Sequence, residues 1–234
     1  MENNIYLDGA YRQRNPDWHS VDSAWKAQRI AGILRRNGVS FVSCVEVGCG
    51  AGQILTHLAM EFPGKRFTGY DVSPDAAKLW SQAGSHAVAY ELADITTVDV
   101  TADLLLLIDV FEHIEDYMGF LRKLSGRSRW FVFHITLDMH ISALLRDRQL
   151  HARQQVGHLH YFSRATALAT LADTGYRIVD EELTRLSQQT LESRRPLTLL
   201  ANAVRRSMQL LSADFAAKLL GGYSLLVLAE RAGP

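Results

Sequence analysis

Five acidic positions, one glycine-rich loop and several histidines are the residues of this 234-residue sequence best suited to do chemistry. In Val45-Glu46-Val47-Gly48-Cys49-Gly50-Ala51-Gly52 a β-rich run passes into glycines and then into helical spacing. Glycines there let backbone come close to a ligand, and the free N–H groups of the following helix point at it. A dinucleotide loop of the G-x-G-x-x-G type would need its third glycine where Gln53 stands. The carboxylate of Glu46 would repel a pyrophosphate and could face a cationic ligand. Asp71 ends the next β-rich run, where a carboxylate can accept both hydroxyls of a ribose. Asp94-Ile95 follows the third, where an acid beside an apolar residue could accept from an adenine amine and cover its ring. Taken singly, Asp71 and Asp94 also read as cap or turn residues; in register along successive strand ends they reinforce one another.

A second group follows the fourth β-rich run, in Asp109-Val110-Phe111-Glu112-His113-Ile114. Histidine titrates near neutrality and can take a proton from a hydroxyl acceptor, so His113 is a candidate base with Glu112 beside it. The alternative is that the Glu-His pair only orders a loop. Asp109-x-x-Glu112-His113 also places three oxygen and nitrogen ligands on one turn. Gly157-His158-Leu159-His160-Tyr161-Phe162-Ser163 stands just before a helix start, and His158 or His160 supplies a further polar contact unless the segment is simply a capped turn packed by Tyr161 and Phe162. His134 and His140 are further histidines of this half.

The elements that must position these groups alternate along the chain. Asp22 to Gly38 reads as a helix closed by glycine, Phe41 to Val47 as a strand, and Gln53 to Phe62 as a helix. Arg66 to Tyr70 is a strand, and Ser73-Pro74-Asp75 starts a helix with a serine cap, proline in the first turn and an acid suited to the dipole. Ala87 to Leu92 is a third strand. Leu104 to Ile108 is a continuous apolar run, the mark of a parallel strand buried on both faces, and Tyr117 to Leu124 follows as helix. Trp130 to Leu137 is a fifth strand, Met139 to Gln155 a helix, Ser163 to Asp173 a helix ended by Gly175, Tyr176 to Asp180 a sixth strand, Arg194 to Leu220 a helical stretch, and Ser224 to Ala229 a seventh strand. Such alternation predicts an α/β fold, a doubly wound sheet with helices on both faces and ligands at the carboxyl ends of its strands.

The four ordered motifs Val45 to Gly52, Tyr70-Asp71-Val72-Ser73, Asp94-Ile95 and Asp109 to Ile114 resemble those of the class I S-adenosylmethionine-dependent methyltransferases over about residues 40–180. The resemblance implies a seven-stranded, mostly parallel sheet with the last strand antiparallel. It implies Glu46, Gly48 and Gly50 near the methionine portion of the donor, Asp71 on the ribose, Asp94 and Ile95 at adenine, Asp109, Val110 and Phe111 on the donor's other side, and Cys49, Gly52 and Val72 as further donor-binding residues. Glu112, His113, His158 and His160 then fall on the acceptor side. Asp109-x-x-Glu112-His113 is similar to the Glu-x-x-Glu-His metal cluster of certain quinone and RNA O-methyltransferases, but aspartate replaces the first glutamate and metal-free relatives share this form, so no metal is assigned. The leader, with Asn15-Pro16-Asp17-Trp18-His19 and Asp22-Ser23-Ala24-Trp25-Lys26-Ala27, resembles leaders of bacterial methyltransferases of glycan synthesis.

Composition bounds the partners. Lysine plus arginine equal aspartate plus glutamate at 25 each, so no global field draws in nucleic acid or an anionic membrane. Apolar runs fall well short of the ~20 residues that span a bilayer, no leader of the secretory type opens the sequence, and the two cysteines, Cys44 and Cys49, suit neither a disulfide framework nor a zinc site. A cytoplasmic protein of one domain over 1–234 is expected. Its N-terminal lid and helix cover 1–38, a donor-binding core 39–137, and an acceptor-side and C-terminal part 138–234 with a helical insertion before the last strand. The expected reaction is O-methylation of a small molecule such as a sugar or nucleotide sugar; Arg194, Arg195, Arg205 and Arg206 could meet an anionic acceptor. The alternatives are a methyltransferase acting on a macromolecule and a non-catalytic binder of an adenosine ligand.

Overall fold

A computed structural model describes residues 6, 8–16, 18, 20–82, 87–185 and 212–233. Seven strands, β1 (Ser43–Val47), β2 (Arg66–Asp71), β3 (Val88–Leu92), β4 (Ala102–Ile108), β5 (Ser128–Thr136), β6 (Tyr176–Arg185) and β7 (Tyr223–Arg231), form one sheet in the order 3-2-1-4-5-7-6. The first five pair in parallel, and β7 lies antiparallel between β5 and β6. This is the architecture expected from the sequence.

Alternation along the strands divides the core into two layers. Val45, Val47, Leu105, Leu107, Phe131, Phe133, Leu225 and Val227 face one side. There they meet α5 (Tyr117–Ser125), α8 (Arg164–Asp173) and α9 (Ala213–Leu220) through Leu121, Leu124, Ala167, Leu171 and Ala216. Cys44, Leu104, Leu106, Ile108, Val132, Leu226 and Leu228 face the other side, against Ile30, Ile33 and Leu34 of α2 (Ser23–Arg36) and Leu55 and Leu58 of α3 (Gln53–Glu61). Leu104 to Leu107 are at most 1% exposed, the two-sided burial that their unbroken apolar run implies. Glu46 pairs in register with Leu106, so its side chain belongs to the α2 side of the sheet. That parity decides its neighbours below.

Local signals fix the helix starts. Asp116 accepts from Gly119 N–H at the head of α5, and Ser163 and Thr166 form a reciprocal capping box at the head of α8. Three short helices complete the described set: α1 (Ala10–Arg14), α4 (Pro74–Ala77) and α6 (Ile141–Leu144), with α7 (Arg148–Gln155) following the last. The single helix expected over Met139 to Gln155 is therefore two, because Asp147 takes a left-handed φ of 49° and breaks the hydrogen-bond ladder. The expected stretch from Arg194 is described only over Ala213–Leu220; Arg194, Arg195, Arg205 and Arg206, like Asp17 and His19, lie outside the described residues. No described helix is long and apolar enough to cross a membrane.

Candidate functional site

The carboxyl ends of β1, β2 and β4 bring the sequence motifs together. Gly48 N–H and Cys49 N–H both donate to the carbonyl of Tyr70, which folds the loop after β1 over the tip of β2. Gly48 has φ 68°, and a Cβ there would meet Val110 Cγ2 at 2.9 Å; Gly52, φ 77°, would put a Cβ 2.4 Å from the Tyr90 ring. Only glycine satisfies both the backbone and the space. Tyr90 Oη donates to the Gly52 carbonyl and Trp80 Nε1 to the Gly50 carbonyl, and the two rings stack 5.3 Å apart. These aromatics brace the loop from behind, a role the sequence motifs do not signal.

Asp71 anchors the loop from β2. Its Oδ2 accepts from Gly50 N–H and its Oδ1 from Ser73 N–H, each at 2.8 Å. Burial raises its pKa, opposed by the donors of Ser73, Gly50 and Val72. Each oxygen keeps a lone pair for a further donor. Val72, beside it, is an exposed apolar side chain at the strand end.

Glu46 is 1% exposed, and its Oε2 has no hydrogen-bond partner among the described residues. Burial pushes its pKa up to about 8, with Lys26 pulling it down and Asp71 pushing it further up. In the unfolded chain the carboxyl would titrate near its ordinary value, ~4.3. Between the two values the folded state holds more protons, so stability falls as pH rises from roughly 4.5 to 8. Glu46→Gln is therefore expected to unfold at higher denaturant concentration than the wild type at pH 8 and to lose much of that pH dependence. Parallel pH profiles for the two proteins would contradict this.

At the tip of β4, Asp109 takes φ 55°, a strained conformation for a non-glycine residue. One oxygen contacts Lys26 Nζ and the other His134 Nδ1, both at 2.7 Å, while His134 Nε2 reaches Thr184 Oγ1 at 3.0 Å. Burial disfavours the Asp109 carboxylate, but His134 and Lys26 outweigh it and hold its pKa far below the usual range. Asp109 is thus spent on an ion pair. It is absent from the group of ligand atoms that the Asp109-x-x-Glu112-His113 spacing would assemble.

That group is formed instead by Glu112, His113 and His158, whose ligand atoms all lie within 4.8 Å of one another. Each is held from behind. Thr136 Oγ1 donates to Glu112 Oε1, His158 Nδ1 bonds Asp138 Oδ2, and His113 Nδ1 bonds Tyr6 Oη at 3.0 Å. Tyr6 Oη donates to the Val156 carbonyl, so it accepts from His113 Nδ1–H, and this assignment leaves His113 Nε2 with its lone pair. Burial lowers the pKa of His113 to about 4, helped by the charge of His158 and opposed by the Gly157 carbonyl, so the ring is neutral at pH 7. Burial also pulls His158 down, but Asp138 and Glu112 outweigh it and raise its pKa. Glu112 is fully buried, its Oε2 lacks a hydrogen-bond partner among the described residues, and burial together with Asp109 raises its pKa.

Other expected residues lie elsewhere. His160 turns away, its ring 4.4 Å from that of Tyr117 and its Nε2 against the Glu115 carbonyl, so it does not join the cluster. Phe111 is wholly buried, packed edge-on to Phe133 and Phe162; its ring supports the loop from below and does not line the cleft. Ile95 is likewise a core residue at 3% exposure, while Asp94 caps a short 3-10 turn by accepting from Thr96 N–H.

The N-terminal segment covers this floor. Ser73 Oγ donates to the Tyr6 carbonyl, Arg12 pairs with Asp75, and Arg14 and Asn15 donate to the carbonyls of Gln154 and Gln155. Trp18 Cε3 sits 3.4 Å from where a Cβ on Gly50 would be, and the tilted rings of Tyr11 and then Tyr6 pack in sequence behind it. Tyr6 stands in no motif and Lys26 only within the leader run, with no role read for it; their partners lie 107 and 83 residues away in sequence.

The floor fits a nucleoside carrying a cationic amino-acid tail. It offers a glycine cradle that a Cβ would fill, a carboxylate at a strand end, and a buried glutamate oxygen without a hydrogen-bond partner among the described residues. The profile of a family described as "Methyltransferase domain" matches residues 45–128. Norajmaline N-methyltransferase of Rauvolfia serpentina is 27% identical over 107 residues, which span 42% of this chain and 36% of that protein. The chain thus covers about a third of the curated relative's length. Magnesium protoporphyrin IX methyltransferase from Synechocystis PCC 6803, solved with bound S-adenosylhomocysteine, superposes with a TM-score of 0.60 at 15% identity, covering 89% of this chain and 83% of that one. Mitomycin 7-O-methyltransferase superposes at 0.59 with 19% identity, over 90% and 54%.

Proposed function

We propose that this chain is a class I S-adenosylmethionine-dependent methyltransferase, a reading supported by the methyltransferase-domain match over residues 45–128, and that it transfers the donor's methyl group to an oxygen of a small molecule, a sugar or nucleotide sugar in the finer reading. The observation that carries the proposal is the juxtaposition of two polar centres at adjacent strand ends: Glu46 and Asp71 on one side, and the Glu112, His113 and His158 cluster on the other. The donor supplies an electrophilic methyl on a sulfonium. Asp71 takes the ribose hydroxyls, with Val72 beside it, and Glu46 faces the positive end of the donor from beneath Gly48, Cys49, Gly50 and Gly52. Asp94 closes the adenine end, and Val110 with the backbone of Phe111 borders the opposite wall.

Methyl transfer is an in-line displacement, so the chain's own tasks are alignment, exclusion of water and, for a hydroxyl acceptor, removal of a proton. His113 is neutral at pH 7 and lies in the cluster with Glu112 and His158, and a neutral imidazole with a free lone pair is suited to accept that proton. A hydroxyl must give up its proton as it attacks, whereas an amine already in its neutral form attacks through its lone pair, and we take the buried histidine pair to serve oxygen. The segment 1–38 acts as a cover that keeps water from the sulfonium and must part for the donor to enter. A compartment without disulfides, the cytoplasm, fits the two buried thiols.

A second reading rests on the same three ligand atoms. Two histidines and one carboxylate, each oriented from behind by Tyr6, Asp138 or Thr136, are a donor set that a divalent ion accepts, and such an ion would lower the pKa of an acceptor hydroxyl. The test is a screen of sugars, nucleotide sugars, phenols and amines with isotope-labelled donor, read by mass spectrometry before and after exhaustive chelation. Label on an oxygen, unaffected by chelation, is the expected result. Label on nitrogen would overturn the oxygen assignment, and loss of turnover on chelation with recovery on adding metal would establish the second reading. Donor binding without transfer to any class would favour the non-catalytic alternative.

A further inference from the structure

Lys26 has no part in the proton transfer above, yet it is one of the most constrained cations in the described structure. It projects from α2 over the ends of β1 and β4 on the side to which Glu46 belongs, and its side chain is 16% exposed. Burial pulls its pKa down, but Asp109, Asp22 and Glu46 outweigh this and keep it charged. An ammonium has three N–H donors. Nζ spends one on Asp109 Oδ2 at 2.7 Å, and the other two have no acceptor among the described residues.

The place of this cation is specific. Asp109, its partner, directly precedes Val110, whose Cγ2 lies against Gly48 in the cradle loop. Glu46, close enough to act on Lys26, lies two residues before the same glycine. A methionine tail laid along this loop carries an ammonium and a carboxylate as well as its sulfur. The acids at the strand ends match the positive groups. Placed there alone they would repel the carboxylate, and a cation with unspent donors is what removes that conflict.

We propose that Lys26 binds the carboxylate of the donor's amino-acid tail, making it a specificity residue that distinguishes the complete donor from nucleosides lacking that group. The proposal rests on the donor reading given above, and the ligands are chosen so that the two fail separately. Wild type, Lys26→Gln and Lys26→Arg are titrated calorimetrically with three ligands. These are S-adenosylhomocysteine, its decarboxylated analogue that keeps the ammonium, and 5′-methylthioadenosine, which lacks both groups.

Lys26→Gln is expected to lose about 10- to 100-fold in affinity for S-adenosylhomocysteine while binding the other two nearly as the wild type does, and Lys26→Arg to recover part of the loss. Retained affinity of both other ligands also shows that Lys26→Gln is folded. Undiminished binding of S-adenosylhomocysteine by Lys26→Gln, or an equal loss for all three ligands that Lys26→Arg does not recover, overturns the proposal and leaves the donor reading intact. Failure of the wild type to bind any of the three overturns both.

Discussion

Asp71→Ala is expected to weaken S-adenosylhomocysteine binding about 100-fold, the largest single effect on donor affinity anywhere in the chain. Two hydrogen bonds from ribose hydroxyls to a carboxylate are each worth ~1.5 kcal/mol or more, and their joint loss gives that factor. Asp71 also holds the loop through Gly50 N–H and Ser73 N–H, so alanine removes anchor and acceptor together. Asp71→Asn separates the two, because an amide keeps the volume and one acceptor oxygen but turns a donor toward an N–H. It is expected to lose less affinity than alanine while melting closer to the wild type. Calorimetric titration with a thermal melt of each variant checks this, and unchanged affinity in Asp71→Ala would remove Asp71 from the ribose.

The second large effect is on turnover. His113→Ala is expected to lower kcat by roughly 100- to 10,000-fold, the range for removal of a general base, with donor affinity changed by less than about threefold. The pH profile gives a sharper signature. A histidine held at about 4 is already deprotonated throughout the neutral range, so with donor bound and product release fast the acidic fall in rate should lie well below the ~6.5 of an ordinary imidazole. The same shift acts on stability. The unfolded chain binds the proton more readily between these values, so neutral His113 stabilises the fold above pH ~6.5, and this contribution is lost as pH falls toward 4. Normal turnover in His113→Ala would refute its role as the base.

Much of this site was legible because its parts are local. A glycine loop between a buried strand and a helix announces itself by residue type, and Asp71 by its place at the end of a β-rich run; the four leucines of β4 marked the sheet's centre. Legibility ended where side-chain direction or long-range contact decides. Position after a strand end could not tell that Phe111 and Ile95 point into the core, since one residue's rotation moves a side chain from cleft to interior. The spacing that grouped Asp109 with Glu112 and His113 was overruled by Lys26 and His134, which arrive from α2 and β5 and claim the aspartate. His158 joined the cluster and His160 did not, although both stand in one short loop, because Leu159 and His160 N–H donate to the Glu112 carbonyl and fix which ring turns inward. Tyr6 carried no motif and Lys26 only a place in the leader run, and their long-range contacts with His113 and Asp109 revealed them.

The central claim is that acids at the strand ends recognise a sulfur nucleoside carrying an ammonium on its amino-acid tail. Parallel titrations of the wild-type protein with S-adenosylhomocysteine and with NAD address it most directly. Saturable heat with the first and none with the second, abolished or strongly weakened in Asp71→Ala, is the predicted result. Binding of NAD in preference, or no heat with the sulfur nucleoside, would contradict it.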